Sequence, residues 1–266
     1  SIYKHVDGIF IQLNAPKGQK ISAKVRTVAE KYTKNIQIYE WTGNFAKARN
    51  ANFAQVSKDY DWILWLDTDD TVEHPEKIKE VASITPRDIH GVYACYDYAH
   101  DEFGNVTVSH WNCRMVRNDD TFSWKSSFED AEFAVHETLS PTRTVGQASN
   151  DEFKVIHHAD TDRQNKSLMR NITLLEKMYD AQTEKGKIDP RVLFYLATHL
   201  YDIGRYGDVI DLLSKYLKIS GWGEERGQAH VFLGKIMKTQ GKTNQARTAF
   251  LLALGEDPKN AEAFLQ

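Results

Sequence analysis

Hydrophobic and polar positions follow two rhythms along the chain, and the change falls near residue 160. Before it, short apolar runs alternate with stretches of helical spacing. Residues 6–13 (VDGIFIQL) form an apolar run, and Asn14-Ala15-Pro16-Lys17-Gly18 closes it with turn-forming residues. Residues 21–32 carry Val25, Val28 and Ala29 at helical spacing, and residues 36–39 read as a strand. Asn44 suits the N-cap of a helix running from Phe45 to about Ser57. Residues 62–66 (WILWL) are wholly apolar. A strand apolar on both faces predicts a sheet covered on both sides, hence a mostly parallel α/β sheet. Residues 92–98 and 112–116 are further strand candidates.

After residue 160 the spacing is helical throughout. Residues 163–179 place Leu168, Ile172, Leu175 and Met178 on one stripe, and Gly186 through Pro190 breaks the pattern. An internal repeat follows: Leu196-Ala197, Gly204 and Tyr206 recur as Leu233-Gly234, Gly241 and Thr243, an offset of 37 residues. Ala246, Phe250, Ala253 and Pro258 supply small, aromatic, small and helix-ending residues in turn. This pattern resembles the tetratricopeptide family, whose period is about 34 residues. The predicted organisation is an α/β domain over residues 1–160, a connecting helix over 161–188 and an all-α helical repeat domain over 189–266. Residues 261–266 read as the opening of a third repeat, so the repeat domain is expected to be cut at its end.

Charge and composition narrow the class. With 34 Lys+Arg against 37 Asp+Glu, the chain is not a globally basic nucleic-acid binder. Two cysteines, Cys95 and Cys113, are too few for a disulfide scaffold and suggest a reducing compartment. No apolar run approaches the roughly 20 residues of a membrane helix, and a soluble cytoplasmic protein is expected.

The candidate chemistry sits in Asp67-Thr68-Asp69-Asp70, directly after the apolar run. Ligands of open α/β sheets bind beyond the carboxyl ends of strands, where these side chains would project. Two carboxylates one residue apart can hold a hard divalent cation that also takes phosphate oxygens. The plain alternative is a solvated acidic turn. An EF-hand calcium loop is excluded, because its sixth position would be Val72 where glycine is required. A haloacid-dehalogenase-like phosphatase fits Asp67 as nucleophile with Asp69 and Thr71. It also needs a second strand-borne acidic pair, for which Asp119-Asp120 is a poor match.

A longer set of motifs resembles the family 2 glycosyltransferases of the GT-A fold. It comprises Trp41-Thr42-Gly43-Asn44-Phe45-Ala46-Lys47-Ala48-Arg49-Asn50, then Asp61 through Asp70, Trp124, Val135-His136-Glu137 and His157-His158. A helix with Arg170-Asn171 and Leu174-Leu175-Glu176 completes the order, and tetratricopeptide-like helices commonly follow in that branch. The resemblance implies a metal-dependent transfer of a sugar from a nucleotide-sugar donor, most readily a UDP-sugar, with Mn²⁺ or Mg²⁺. It makes Asp69 the direct metal ligand and Asp67 a contact of the ribose or a metal-bound water. Arg49 either reaches the diphosphate or pairs with Asp67 or Asp69 to hold the loop. Glu137 and the Glu129-Asp130 pair are candidates for the base that deprotonates the acceptor.

His136, His157 and His158 are candidate further metal ligands, with His136 and His158 preferred; neighbours on a strand point to opposite faces, so at most one of His157 and His158 faces the site. Trp124 is the acceptor-side candidate, Trp65 reads as core, and both cysteines read as buried small residues. Two departures from the family stand out. Asn14 occupies the turn where an aspartate helps bind the donor base, and by the resemblance the chain is expected to begin after the family's first strand and helix. The acceptor is open among glycans, proteins and modified nucleic acid, and the repeats suit a protein partner or self-association. A catalytically dead transferase domain on a binding scaffold is the competing class.

Overall fold

In a computed structural model the chain divides into two compact units, residues 1–165 and 166–266. The structure describes residues 2–101, 103–126, 135, 137–158 and 161–266, the side chains of 161–165 excepted.

The first unit is mixed α/β. Strands β1 (Ile11–Pro16) and β2 (Ile36–Trp41) pair in parallel, joined by helix α1 (Ala23–Glu30). Helix α2 (Phe45–Ala54) lies against this ladder, with Gln12 donating to the Ala48 carbonyl and Gln37 to that of Ala51. A second sheet holds β3 (Trp62–Leu64), β4 (Asp70–Glu73), β5 (Ile89–His100), β6 (Val106–Arg117) and β9 (Gly146–His157), in the order β3-β6-β5-β9-β4. A hairpin of β7 (Phe122–Lys125) and β8 (Thr138–Pro141) and the short helix α3 (Ile78–Ile84) complete the unit.

The mostly parallel sheet expected from the apolar run does not form. In the five-stranded sheet only β5 and β9 run parallel; the β3–β6, β5–β6 and β4–β9 ladders are antiparallel. Two local features explain it. Asp101 accepts from the backbone N–H groups of Phe103 and Asn105, building a tight turn that folds β5 and β6 into a long hairpin. The apolar run also stops being a strand at Leu64, so it is a short edge element and not a central one.

One face of this sheet packs on α3 through Ile78, Val81, Val92, Ala94, Met115 and Phe153. The other packs on the β7–β8 hairpin through Cys113, Val116 and Phe122. A cleft of about 730 Å³ is lined by the chain entering β1 (Gly8, Phe10), by β3, and by Leu66, Asp67 and Thr68 beyond it.

The second unit is helical. It contains α4 (Thr161–Glu184, which begins in the first unit), α5 (Pro190–Asp202), α6 (Tyr206–Ile219), α7 (Gly223–Thr239), α8 (Thr243–Glu256) and the single turn α9 (Ala261–Phe264). Both repeat-related glycines, Gly204 and Gly241, end a first helix in the left-handed region, at φ 76° and 72°. That conformation is costly for other residues and turns the chain into the next helix. Gly234 lets α7 approach α8 closely: a Cβ there would sit 2.5 Å from the Phe250 ring. The two helix pairs are unequal, because α7 has 17 residues where α5 has 13. Among the described residues no helix is long and apolar enough to cross a membrane.

Candidate functional site

The acidic cluster straddles the chain between β3 and β4. Asp67 and Asp69 lie in the turn, and Asp70 opens β4, where it is registered against His157 of β9. Each carboxylate has a different fate.

Asp70 is wholly buried and accepts four hydrogen bonds. They come from the Arg114 guanidinium at 3.1 Å, the Tyr96 hydroxyl at 3.2 Å, the Asp67 backbone N–H at 3.1 Å and Nδ1 of His157 at 3.2 Å. Arg114 is equally buried, its guanidinium 4.0 Å from the centres of both the Trp65 and Tyr96 rings. Burial, then the Asp70 charge, pushes the Tyr96 phenol well above its usual range, so it stays a donor.

Asp67 is taken by Arg49. Asn44 caps α2 by accepting from Lys47 N–H at 2.9 Å, after Gly43 turns the chain at φ 85°. Arg49, one turn on, reaches the two oxygens of Asp67 with two guanidinium nitrogens, at 3.0 and 3.1 Å, and its Nε donates to Glu137. The guanidinium also lies 4.9 Å from the Trp65 ring and 4.8 Å from that of Trp124. Burial alone would lower the Arg49 pKa; the charges and hydrogen bonds of Asp67 and Glu137 outweigh it and raise the value. Of the two roles open to Arg49, the loop-holding pair is the one made here.

Asp69 remains. Among the described residues it has no Lys or Arg partner, its side chain is one-third exposed, and its carboxylate lies 3.9 Å from Nδ1 of His157. Asp69, Asp70 and His157 offer ligand atoms within 4.8 Å of one another. Two carboxylate oxygens and an imidazole nitrogen suit Mn²⁺ well and Mg²⁺ less well, since Mg²⁺ prefers an all-oxygen set.

The histidine that joins the carboxylates is therefore His157, not His158. Adjacent strand residues alternate faces, and His158 turns its Nε2 to the Thr71 hydroxyl at 2.7 Å while its N–H donates to the Asp69 carbonyl. His136, Asp130 and Glu129 lie outside the described residues. Trp124 is no open acceptor surface. It is buried, packed edge-on against Trp65 with ring centres 4.8 Å apart, and tied to Asn50 through its backbone. Trp65 lies beyond the end of β3, donates to the Cys113 carbonyl, and forms one wall around both arginines. Trp41 packs edge-on against Phe45 at 4.6 Å. Asn14 is exposed near the end of β1 and accepts from Gln12. Of the cysteines, Cys113 is buried and Cys95 is half-buried.

Asp119 and Asp120 do follow a strand, but the wrong end of it for a phosphatase. β3 and β6 are antiparallel, and Asn118 donates to the Asp61 carbonyl just before β3 begins. Asp67 follows the other end of β3, so the two acidic pairs share no pocket. Asp119 pairs with His90 and Asp120 with Lys58, each at 2.7 Å.

Sequence reasoning missed Arg114 and Tyr96, and of the two adjacent histidines it preferred His158 to His157. The signal for Arg114 was a lone charge inside the run Cys113-Arg114-Met115-Val116, since a buried charge needs a buried partner. No family model matches the chain, and no curated protein matches it.

Proposed function

We propose that the chain is a divalent-metal-dependent glycosyltransferase of the GT-A type, taking a nucleotide sugar, with UDP-sugars first among donors. The observation that carries this reading is Asp69. Its two neighbours are neutralised by Arg49 and Arg114, while Asp69 keeps a part-exposed carboxylate beside His157 and has no Lys or Arg partner among the described residues. Asp69 and His157 would hold Mn²⁺, and Nδ1 of His157, which now faces Asp70, would exchange that hydrogen bond for the cation. Bound there, the cation supplies charge neutralisation for a departing diphosphate. Glu137 is the described candidate for the acceptor's base, and to serve it must exchange the Arg49 guanidinium for an acceptor hydroxyl. The helical unit, read as tetratricopeptide-like repeats, would bind acceptor, partner or a second copy.

That same Arg49 bridge favours the second reading, a transferase domain that binds but does not catalyse. It ties up both Asp67 and Glu137, the residues expected at the ribose and the acceptor. Calorimetry with Mn²⁺ and a panel of nucleotide sugars, followed by transfer assays, separates the two. The enzyme reading expects binding and donor turnover, and Asp69→Ala abolishes both. Binding without turnover favours the inactive domain, and unchanged activity in Asp69→Ala removes the metal assignment.

A further inference from the structure

The β5–β6 hairpin runs on past the core packed by α3, and on that same face it carries a row of rings leading away from the acidic cluster. His157, held by Asp70, stacks face to face on Tyr98, with ring centres 5.4 Å apart and planes inclined by only 9°. His110, the β6 residue registered against Tyr96, contacts both tyrosines, edge-on to Tyr96 at 5.3 Å and tilted to Tyr98 at 5.8 Å. Asn112 adds an amide 3.3 Å from the His110 ring. Tyr98 nevertheless leaves 49% of its surface to solvent. Three rings, those of Tyr96, His110 and His157, pack against a tyrosine that stays half exposed. A merely structural tyrosine would be covered, and a merely solvated one would not be held by three other rings.

From this geometry we infer that Tyr98, backed by His157 and flanked by His110, is a stacking platform for the pyranose ring of the acceptor saccharide. The inference rests on the glycosyltransferase reading and names the acceptor class that reading leaves open. A pyranose presents C–H groups on one face and hydroxyls around its rim. The first suit the negative face of a tyrosine, and the second suit Asp69, Asn112 and the imidazole of His110. The platform stands on β5 and β9, whereas Arg49 and Asp67 enter the site from α2 and the end of β3. A sugar on Tyr98 would therefore meet the cluster through His157 and not through the Arg49–Asp67 bridge. Because the ring is pre-ordered, little side-chain entropy is lost when a sugar docks.

The test is saturation-transfer NMR on the full chain with the methyl glycosides of glucose, galactose and N-acetylglucosamine, and with uridine as the competing stacker. At least one glycoside should receive saturation on its ring protons from the wild type and from Tyr98→Phe, with affinity about tenfold lower for Tyr98→Ala. Mn²⁺ binding, followed by electron paramagnetic resonance, should be the same in all three. The proposal is overturned if no glycoside gives a signal, if Tyr98→Ala binds as well as wild type, or if only uridine depends on Tyr98. Failure of the underlying reading looks different: Tyr98-dependent glycoside binding persists while wild type binds neither Mn²⁺ nor nucleotide sugar. That outcome makes the platform a lectin-like site and removes its role as acceptor subsite.

Discussion

The side chain on which the candidate site turns is Asp70, not the two aspartates of the D-x-D pattern. Its carboxylate and the Arg114 guanidinium are both out of water, and four donors converge on the former. A buried pair of this kind adds little net stability when intact, because desolvation of two ions offsets their attraction. Breaking it is another matter. Arg114→Met would strand the buried Asp70 carboxyl without its guanidinium partner, and we expect it to lower the unfolding free energy by about 3–5 kcal/mol. The companion double variant Asp70→Asn, Arg114→Met should recover part of that loss, since neither charge is then stranded. Urea titrations of the three proteins decide it; a loss under about 1 kcal/mol for Arg114→Met would show the pair to be hydrated. The acidic cluster itself was legible in the sequence, because four polar residues interrupt an apolar pattern. Which carboxylate stays available was not, since that depends on cations placed 18 and 44 residues away.

At the level of elements, the hairpin of β5 and β6 explains why the two cysteines differ. Cys95 and Cys113 project from the same sheet face, but β7 covers only one end of it. Cys113 lies under Phe122, and burial pushes its thiol up to about 12, while Cys95 sits farther along, beside Ser109 and Asp97. The thiolate is the reactive form, so a thiol with a raised pKa stays protonated, hence inert, at every pH below that value. In the native protein a disulfide reagent at pH 8 should label Cys95 alone, with Cys113 reacting only after denaturant is added. Rapid labelling of both would mean that the β7–β8 hairpin does not cover the sheet. Helix α2, its Asn44 cap and the two glycine-ended repeat turns could be read in advance because each has a local signature. Strands β4, β7, β8 and β9 could not. β9 opens with Gly146-Gln147-Ala148-Ser149-Asn150-Asp151-Glu152, a polar stretch that becomes a strand by pairing beside β5 and not by its own propensity.

The whole chain holds two units with separate cores. One is built on the sheet around Val92, Met115 and Phe153, the other on the helices around Val231, Phe250 and Ala253. The change of rhythm read near residue 160 falls close to the division after residue 165, because helical and strand periodicities differ along the sequence itself. The direction in which strands pair has no such periodicity, so the antiparallel majority of the sheet stayed hidden. Separate cores have a thermodynamic consequence. A ligand stabilises only what it binds in the folded state, by an amount set by its concentration over its dissociation constant. Asp69 and His157 both belong to the first unit, so Mn²⁺ bound there would act on that unit alone. At a hundredfold excess over its dissociation constant it should stabilise that unit by about 2.7 kcal/mol and leave the helical unit untouched. In scanning calorimetry one transition should move upward with added Mn²⁺ while the other stays fixed, and Asp69→Ala should cancel the movement. If both transitions rise together, the units unfold as one cooperative body. If neither moves, the cluster at the end of β3 holds no cation, and the reading built on Asp69 falls with it.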